Sequence, residues 1–400
     1  MAIEIRVPGE NERRAATATT MTAFGEELRE SQLERQQRIM PRDRMLAAYD
    51  GDRPVGLAAS FEFTLTISGG EAPAAGVTWV GVLPSHRRRG ILRDLMRQQL
   101  DDVHARGEPL AILWASEAAI YGRFGYGLAA LNASIEADRA RFVLRDDPGP
   151  RGAVTLVTLE EALQRFPPIY ERMRRPGMFA RPHEWWEHQR LADPEEWREG
   201  ASPKFYAVLE LDGEDAGFAV YRVKGKWENG FPAGELQIID AFAVSGEATR
   251  ELWRFLFGVD LVSTVRAWIF DPASPLLLQV ADVRSLHLRL GDGLWLRLVD
   301  VEEALRRRSY EGADSVVLEV SDALLPRNDG RYRVGDGVGR TDDKPDVRLS
   351  VADLASAYLG GFDFDRLHAA GRVEELTPGA VARASALFRT PLPPFCPEIF

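Results

Sequence analysis

The chain has 400 residues, of which 45% are hydrophobic and 28% are charged. This length exceeds the size at which one hydrophobic core usually stops growing, so it predicts two or three domains. Its 61 acidic residues outnumber its 50 lysines and arginines, and the net charge of −11 disfavours a nucleic-acid or membrane-surface partner. The single cysteine, Cys396, excludes an internal disulfide framework and a multi-cysteine metal site, and we interpret it as an inert thiol.

The sequence shows neither a membrane-spanning segment nor a metal-ligand motif. The N-terminus carries no apolar leader and no apolar run approaches bilayer-spanning length, so we expect a cytoplasmic protein with no membrane partner. The six histidines show no metal-ligand spacing, and we therefore expect no metal.

The first segment alternates strand and helix patterns. Residues 45–50 and 55–67 are typical of strands joined by an Asp-Gly turn, and a third strand ends at Val82. An amphipathic helix is predicted from Gly90, followed by a buried strand over 109–115 and a short helix near Ser116. This alternation predicts an α/β domain, and residues 146–152 form a candidate linker.

The middle segment repeats this layout. Residues 208–221 resemble 47–60, and residues 240–256 resemble 79–96, with Glu247 to Arg250 set opposite Arg87 to Gly90. We interpret the repeat as a duplication whose second copy has lost an arginine run. Chance recurrence of Asp-Gly hairpins is the alternative.

The last segment has a different pattern. A helix is predicted over 301–310, strands over 316–320, 330–335 and 346–351, and helices over 354–361 and near 386–389, which indicates an α+β domain. Its tail, residues 390–400, is rich in proline and aromatic residues, as expected for a docked rather than a frayed terminus.

The stretch VGVLPSHRRRG, residues 80–90, has the features of an anion site. A strand leads into it, and the helix that follows exposes unpaired N–H groups at its start. Gly90 permits close approach of the backbone, and the arginines supply forked donors that fit phosphate oxygens. A diphosphate is the expected guest. The alternative is a solvated basic turn or a nucleic-acid patch.

This loop resembles the acyl-CoA pyrophosphate loop of the GNAT superfamily of N-acetyltransferases, Arg/Gln-x-x-Gly-x-Gly/Ala, with Leu92 at the last small position. Together with ASEAAIYGRFGYG over 115–127, the second repeat without the loop and a tail ending in Phe, the whole chain resembles the Eis (enhanced intracellular survival) family. The resemblance implies two tandem GNAT-like domains, over 1–145 and 146–288, the second without a cofactor site. A sterol-carrier-protein-like α+β domain over 289–400 follows.

The resemblance also implies acetyl-CoA as the cofactor and assigns residues to it. The strand end pairs with the pantetheine arm, the loop and helix start hold the pyrophosphate, and two residues after the next strand touch the cofactor, although the latter pair is equally consistent with a helix cap. These residues are Val80, Gly81, Val82, Arg87, Arg88, Arg89, Gly90, Ile91, Leu92, Arg93, Ser116 and Glu117.

Two catalytic residues follow from the same resemblance. Tyr121 is the implied general acid for the departing thiolate, although composition alone does not distinguish it from Tyr126. The implied general base is the α-carboxylate of Phe400, whose intrinsic pKa of roughly 3.3 to 3.7 keeps it charged. A purely structural plug is the alternative for this tail.

The expected acceptors are primary amines of aminoglycoside-like molecules, polyamines or lysine side chains. An aromatic pocket residue of the family falls on Gln36 here, and the acidic neighbour of the C-terminal residue is replaced by Ile399. The resemblance further implies a homo-oligomer, a hexamer. The implied acceptor-binding residues are Phe24, Glu26, Thr78, Trp79, Trp186 and Ile399.

Two rival functions remain open at this point. In one, the protein is not an enzyme and binds an apolar ligand through its C-terminal domain. In the other, it is a GNAT enzyme with a different acceptor, such as a peptide N-terminus.

Overall fold

A computed structural model describes residues 3–400 as a mixture of strands and helices. The strands are β1 Ile3–Arg6, β2 Met45–Asp50, β3 Arg53–Ile67, β4 Gly70–Val82, β5 Leu110–Trp114, β6 Gly127–Leu128, β7 Leu131–Asp138, β8 Ala153–Val157, β9 Phe205–Leu211, β10 Glu214–Lys224, β11 Trp227–Glu228, β12 Phe231–Pro232, β13 Gly234–Ala243, β14 Val262–Phe270, β15 Arg289–Asp292, β16 Leu294–Leu298, β17 Ser315–Ser321, β18 Gly330–Gly335, β19 Gly339–Arg340, β20 Val347–Ser350 and β21 Val373–Glu375. The helices are α1 Arg13–Phe24, α2 Glu30–Ile39, α3 Ile91–Ala105, α4 Ala118–Tyr121, α5 Leu159–Met173, α6 His183–Trp185, α7 Gly246–Gly258, α8 Leu276–Gln279, α9 Val301–Arg307, α10 Val351–Tyr358, α11 Phe364–Ala369 and α12 Ala380–Leu387.

The chain divides into two compact units that do not follow chain order. Residues 3–130, 175–179 and 293–400 form the first unit, and residues 131–174 and 180–292 form the second. The predicted α/β and α+β fold class is confirmed, because two mixed seven-stranded sheets precede a five-stranded sheet with its own helices.

The first sheet carries the strands that position the arginine loop. Its order is β1-β2-β3-β4-β5-β16-β6, so β16, which is far from β5 in the sequence, completes this sheet by pairing antiparallel with β5. Glycines with positive φ, at Gly51 and Gly69, close the β2–β3 and β3–β4 hairpins. Helix α1 packs on β3 and β4 and α3 on β2, β3 and β4, the latter through a buried stripe that includes Leu95 and Leu100.

The second sheet has the order β15-β7-β14-β13-β10-β9-β8. The predicted strands at 208–221 and the predicted helix after residue 245 are present as β9, β10 and α7. Helix α5 is absent from the sequence-based prediction because Pro167 and Pro168 interrupt its pattern. Thr158 and Glu161 form a capping box at its start, and its apolar face contacts β9 and β10.

The C-terminal sheet of the first unit has the order β19-β18-β17-β20-β21. Its predicted strands and the helices α9, α10 and α12 are present, whereas α11 and β21 are not predicted, because six and three residues are too short for a periodic pattern. None of the helices within residues 3–400 is long and apolar enough to cross a membrane.

Candidate active site

A cleft of about 890 Å³ opens in the first unit at the start of α3, beside the end of β4 and the turn that follows β5. It brings the strand end, the arginine loop and the residues after β5 into one cavity. Its lining residues are Ala23, Phe24, Val80, Gly81, Val82, His86, Arg87, Arg88, Gly90, Ile91, Leu92, Arg93, Arg97, Ser116, Glu117, Ile120, Tyr121, Arg123, Phe124, Ala323 and Leu324.

The cleft exists because two parallel strands part. Strands β4 and β5 pair only from Ala74 to Gly76 on the β4 side, and β4 continues to Val82 without a partner on its β5 edge. Backbone groups beyond Gly76 therefore have no ladder partner from β5.

A β-bulge lies in the same stretch of β4. Leu57 pairs with Gly81 but Ala59 pairs with Thr78, so one extra residue is inserted at Trp79. Trp79 has φ of +52°, which is unusual for a bulky side chain and is typical of a functional segment. A bulge re-aims the residues that follow it, here toward the cleft.

The loop ends at a helix start that no side chain caps. Gly90 is the N-cap of α3 with φ of +84°, a conformation that favours glycine. The amides of Ile91, Leu92 and Arg93 come before the first intrahelical bond, which Asp94 donates to the Gly90 carbonyl. Arg88, with φ of +63°, is a second left-handed residue in this turn. The helix start thus presents free N–H groups and its positive dipole end to the cleft.

The arginines of the cleft are only partly neutralised. Arg93 donates to Asp94 at 3.0 Å, whereas Arg89, which was predicted to bind the cofactor but is not among the lining residues, lies 3.7 Å from Asp50. Within residues 3–400, Arg88, Arg97 and Arg123 have no carboxylate within ion-pairing distance. The cleft is therefore strongly cationic in an acidic protein, and an anion is the guest that its charge favours.

Tyr121, at the end of α4, lines the cleft and is 6% exposed. Burial, with a smaller contribution from the charge of Glu117, raises the pKa of Tyr121 to about 12. Tyr126 contacts it edge to face, with ring centroids 5.8 Å apart, but Tyr126 is not among the lining residues. Burial also raises the pKa of Tyr126. Of the two tyrosines that composition left undecided, only Tyr121 reaches the cavity.

Ser116 and Glu117 both line the cleft just beyond β5. The sequence left open whether they cap the next helix. Glu117 is the N-cap residue of α4, yet its side chain makes no capping hydrogen bond. Both side chains are thus available to a guest in the cleft.

The C-terminal tail is docked on the first unit, as its composition predicted. Phe395 donates its amide to the Pro176 carbonyl at 3.0 Å, and residues 394–398 are buried. The ring of Phe400 lies 5.1 Å from that of Phe63 on β3 and 5.8 Å from that of Phe179.

This docking sets Phe400 and the arginine loop on different faces of the first sheet. A side chain at Gly76 would meet the Phe63 ring at 2.1 Å, so Phe63 and Gly76 share one face, and Thr78, two residues on, shares it too. Val77 packs instead with Tyr121 on the α3 face. The opening between β4 and β5 connects these two faces of the sheet. A ligand bound on the α3 face can therefore meet, through this opening, a second ligand bound on the Phe400 face.

The predicted acceptor-binding residues fall into two groups. Phe24 lines the cleft with 47% of its surface exposed, Glu26 follows α1, and Thr78 and Trp79 lie at the bulge. Trp186 lies in the interior of the second unit. There it is 2% exposed and packs edge to face on Tyr170 and Phe218, and the guanidinium of Arg181 lies over its ring at 4.5 Å.

Sequence reasoning assigned no role to eight of the lining residues, which are Ala23, His86, Arg97, Ile120, Arg123, Phe124, Ala323 and Leu324. Arg97 had a signal, because it lies one helical turn after Arg93 on the same face of α3. Arg123 lies within the quoted IYGRFGYG motif but was not assigned a role. Ala323 and Leu324 had no signal, because they come from the C-terminal segment, some two hundred residues further along the chain.

Comparison with known proteins is consistent with this architecture. Residues 4–129 and 177–298 each match the family described as acetyltransferase (GNAT) domain, and residues 301–397 match the sterol carrier protein domain. The chain is 35% identical to N-acetyltransferase Eis of Mycobacterium tuberculosis over 89% of each protein. The chain belongs to the Eis family of GNAT N-acetyltransferases.

Other relatives match over their full length. An uncharacterized N-acetyltransferase of Streptomyces avermitilis is 42% identical over 100% of both chains. The crystal structure of Eis1 from Mycobacterium abscessus superposes with a TM-score of 0.84 at 35% identity, again over 100% of both chains. The protein is therefore an N-acetyltransferase with two GNAT domains followed by a sterol carrier protein domain, as the sequence predicted.

Proposed function

We propose that the protein transfers an acetyl group from acetyl-CoA to primary amines of polyamine, aminoglycoside-like or lysine-bearing acceptors. One observation carries the proposal: a single cationic cleft joins an uncapped helix start, an unpaired and bulged strand end and a buried tyrosine. The uncapped helix start suits a diphosphate, and the unpaired strand end suits an arm that carries amides. The buried tyrosine suits the thioester, whose sulfur needs a proton donor.

The cofactor fits the groups that the chain offers. The free amides from Ile91 to Arg93 and the guanidinium of Arg88 would hold the diphosphate, because both donate to phosphate oxygens and the helix dipole adds to the attraction. The unpaired β4 edge from Val80 to Val82 would bond the amides of the pantetheine arm as an added strand. Main-chain N–H groups at the bulge would stabilise the negative charge that develops on the thioester oxygen.

In the transfer step, the neutral amine nitrogen attacks the thioester carbonyl carbon, the C–N bond forms and the C–S bond breaks. Tyr121 would act as the general acid, donating its hydroxyl proton toward the departing sulfur, and the proton that the nitrogen loses after its attack would restore the phenol. The pKa of about 12 supports this role, because the phenol stays protonated and remains a donor throughout the neutral range.

A second group must take the proton that the amine loses. An alkylamine has a pKa of about 10, so nearly all of it arrives as the ammonium form at neutral pH. The α-carboxylate of Phe400 would accept that proton, directly or through water. Its docking beside Phe63, on the sheet face that Thr78 shares, supports an acceptor path opposite the cofactor path.

The acceptor class rests on charge and aromatic surface near the opening. Phe24 offers an exposed ring, and Glu26 and Glu117 offer carboxylates to a polyamine. Such groups favour organic cations through ion pairing and cation–π contact.

The test is coenzyme A release measured with a panel of acceptors: a polyamine, an aminoglycoside, free lysine and a peptide with a blocked lysine but a free N-terminus. We expect release with the first three and little with the peptide. Release with the peptide alone would contradict the acceptor class. No release with any amine, together with capture of an apolar ligand, would contradict the enzyme proposal altogether.

A further inference from the structure

The cationic cleft does not end at the arginine loop. It continues along α3 to Arg97 and across to Arg123, on the turn that follows α4. Arg97 lies four residues after Arg93, about 6 Å further along the helix axis and on the same face. The chain therefore carries positive charge well beyond the helix start that would hold a diphosphate.

No carboxylate within residues 3–400 neutralises the charge of these two outer arginines. Neither makes an ion pair or a side-chain hydrogen bond within residues 3–400, and the one contact of Arg123 is with the Phe124 ring, 5.0 Å away. Most other arginines of the first unit are paired, for example Arg106, the C-cap residue of α3, with Asp43 at 2.9 Å. Like charges that converge on one cavity without a counter-charge destabilise each other, so the arrangement favours an anionic guest.

The same end of the cleft has an apolar wall from the C-terminal segment. Ala323 and Leu324 line it, and Leu324 is 6% exposed and packs in one cluster with Phe124. Asp322 holds this wall in place: it accepts from the Leu324 and Leu325 amides at 3.1 and 3.0 Å.

Asp322 is itself fixed by buried partners. It pairs with the fully buried Arg297 of β16, and Asn328 donates to it at 2.9 Å. Because this buried ion pair holds the apolar wall, the wall keeps the same position with and without a bound ligand. A wall that is preorganised in this way suits a rigid ring better than a flexible chain.

We propose that Arg97 and Arg123 form a second anion subsite that binds the 3′-phosphate of the cofactor's adenosine, with Leu324 against the adenine ring. The proposal rests on the proposed function, because it assumes that the diphosphate of acetyl-CoA occupies the start of α3. The chemistry matches: the 3′-phosphate is one ribose away from the diphosphate, carries its own charge and stands beside a flat apolar base. The subsite would make the enzyme select acetyl-CoA over acyl carriers that lack this phosphate.

The experiment compares acetyl-CoA with acetyl-dephospho-CoA, which differs only in the 3′-phosphate. For the unmodified enzyme we expect kcat/KM to favour acetyl-CoA by about tenfold or more, the size expected for charge-assisted hydrogen bonds. In the double variant Arg97→Gln/Arg123→Gln we expect this preference to fall to within about twofold. The rate with acetyl-dephospho-CoA should stay near that of the unmodified enzyme.

Arg106→Gln serves as the matched control, because it removes an arginine at the C-terminal end of α3, outside the lining of the cleft, and should leave the preference unchanged. Should the double variant fail to fold, competition by adenosine 3′,5′-bisphosphate against 5′-AMP on the unmodified enzyme tests the same subsite, and we expect the bisphosphate to bind about tenfold tighter.

Failure of this inference differs from failure of the proposed function. If both thioesters react equally well with the unmodified enzyme, or if the double variant weakens both to the same degree, the outer arginines do not recognise the 3′-phosphate although the enzyme uses acetyl-CoA. If neither thioester binds or reacts, the proposed function fails and the subsite fails with it.

Discussion

The two GNAT domains present the same helix after the same bulged strand but begin that helix in opposite ways. In the first unit, α3 starts at Gly90 with no side-chain cap. In the second, α7 starts at Ser245, whose hydroxyl accepts from the Ala248 amide at 3.1 Å. A capped start satisfies its own amide, whereas an uncapped one leaves its amides to a ligand. The difference indicates how one fold separates a binding site from a structural copy.

The connections into these helices also differ in length. Gly90 comes eleven positions after Trp79, whereas Ser245 comes six positions after the bulge residue Ile239. The sequence comparison set Glu247 to Arg250 opposite Arg87 to Gly90, and this register was wrong, because Glu247 already lies inside α7. The second copy lacks the arginine segment altogether rather than carrying substitutions in it.

The residue after the bulge completes the contrast. In the first unit it is Val80, which lines the cleft. In the second it is Asp240, which is 4% exposed and pairs with Arg181 at 3.1 Å and with Arg190. Arg181 in turn stacks over Trp186. The second unit fills this position with a buried ionic and aromatic cluster that includes Trp186, and the assignment of Trp186 to the acceptor pocket stays a prediction.

The largest predicted effect tests whether turnover depends on the C-terminal carboxylate of the first unit. Adding two glycines after Phe400 moves the charge away, and we expect kcat to fall by about 10²- to 10⁴-fold, the range for loss of a general base. Phe400→Leu is the matched control: it keeps the carboxylate but loses the ring contacts with Phe63 and Phe179. Full activity in the extended chain, with loss in Phe400→Leu, would make the tail a structural plug.

Tyr121→Phe is expected to lower kcat by about 10²- to 10³-fold while leaving the dissociation constant for acetyl-CoA within about twofold. The folded pKa of about 12 keeps the phenol protonated below that pH, so kcat/KM should rise with deprotonation of the amine and show no fall below about pH 10. Tyr126→Phe is the control. A fall in kcat/KM above about pH 8 that is absent in Tyr121→Phe would contradict the raised pKa of Tyr121.

Asp240→Asn tests the filled position of the second unit. Burial works against its charge, but Arg181 and Arg190 outweigh it and lower the pKa of Asp240, so its stabilisation is present above the ordinary aspartate pKa and is lost as pH falls through the lowered value. Removing the charge leaves two guanidiniums unpaired, and we expect unfolding free energy to drop by about 3–5 kcal/mol.

The contrasting measurement for this variant is turnover. Activity per folded molecule of Asp240→Asn should stay within about twofold in an amine assay at 25 °C. A large loss of kcat in molecules that remain folded would show that the second unit takes part in the reaction.

The smallest predicted effects come from substitutions at the N-caps of α3 and α7. Gly90→Ala places a side chain at φ of +84° and should cost about 1–2 kcal/mol and raise the KM for acetyl-CoA about tenfold, because the loop must shift. Ser245→Ala should cost about 1 kcal/mol by losing a cap and leave that KM unchanged. Thermal unfolding and initial rates distinguish the two. Equal effects on KM would remove the distinction drawn between the domains.

Much of the site could be predicted because its parts are local in sequence. The strand, the arginines, Gly90 and the amphipathic helix are contiguous, so propensity and residue chemistry indicate the anion loop. Tyr121 was reached only through the family resemblance, since nothing in composition separates it from Tyr126. Its burial beside the cleft is a property of packing.

The amino-acid sequence by itself determined the alternation of elements, the position of the arginine loop and the apolar character of the tail, because these depend on neighbours within a few residues. Only the tertiary structure decided that β16 completes the first sheet, that Leu324 reaches the outer cleft, that Phe400 packs on Phe63 and that Trp186 is buried within the second unit. Each of these joins residues far apart in the chain, and such contacts are set by which surfaces exclude water together, which no local pattern records.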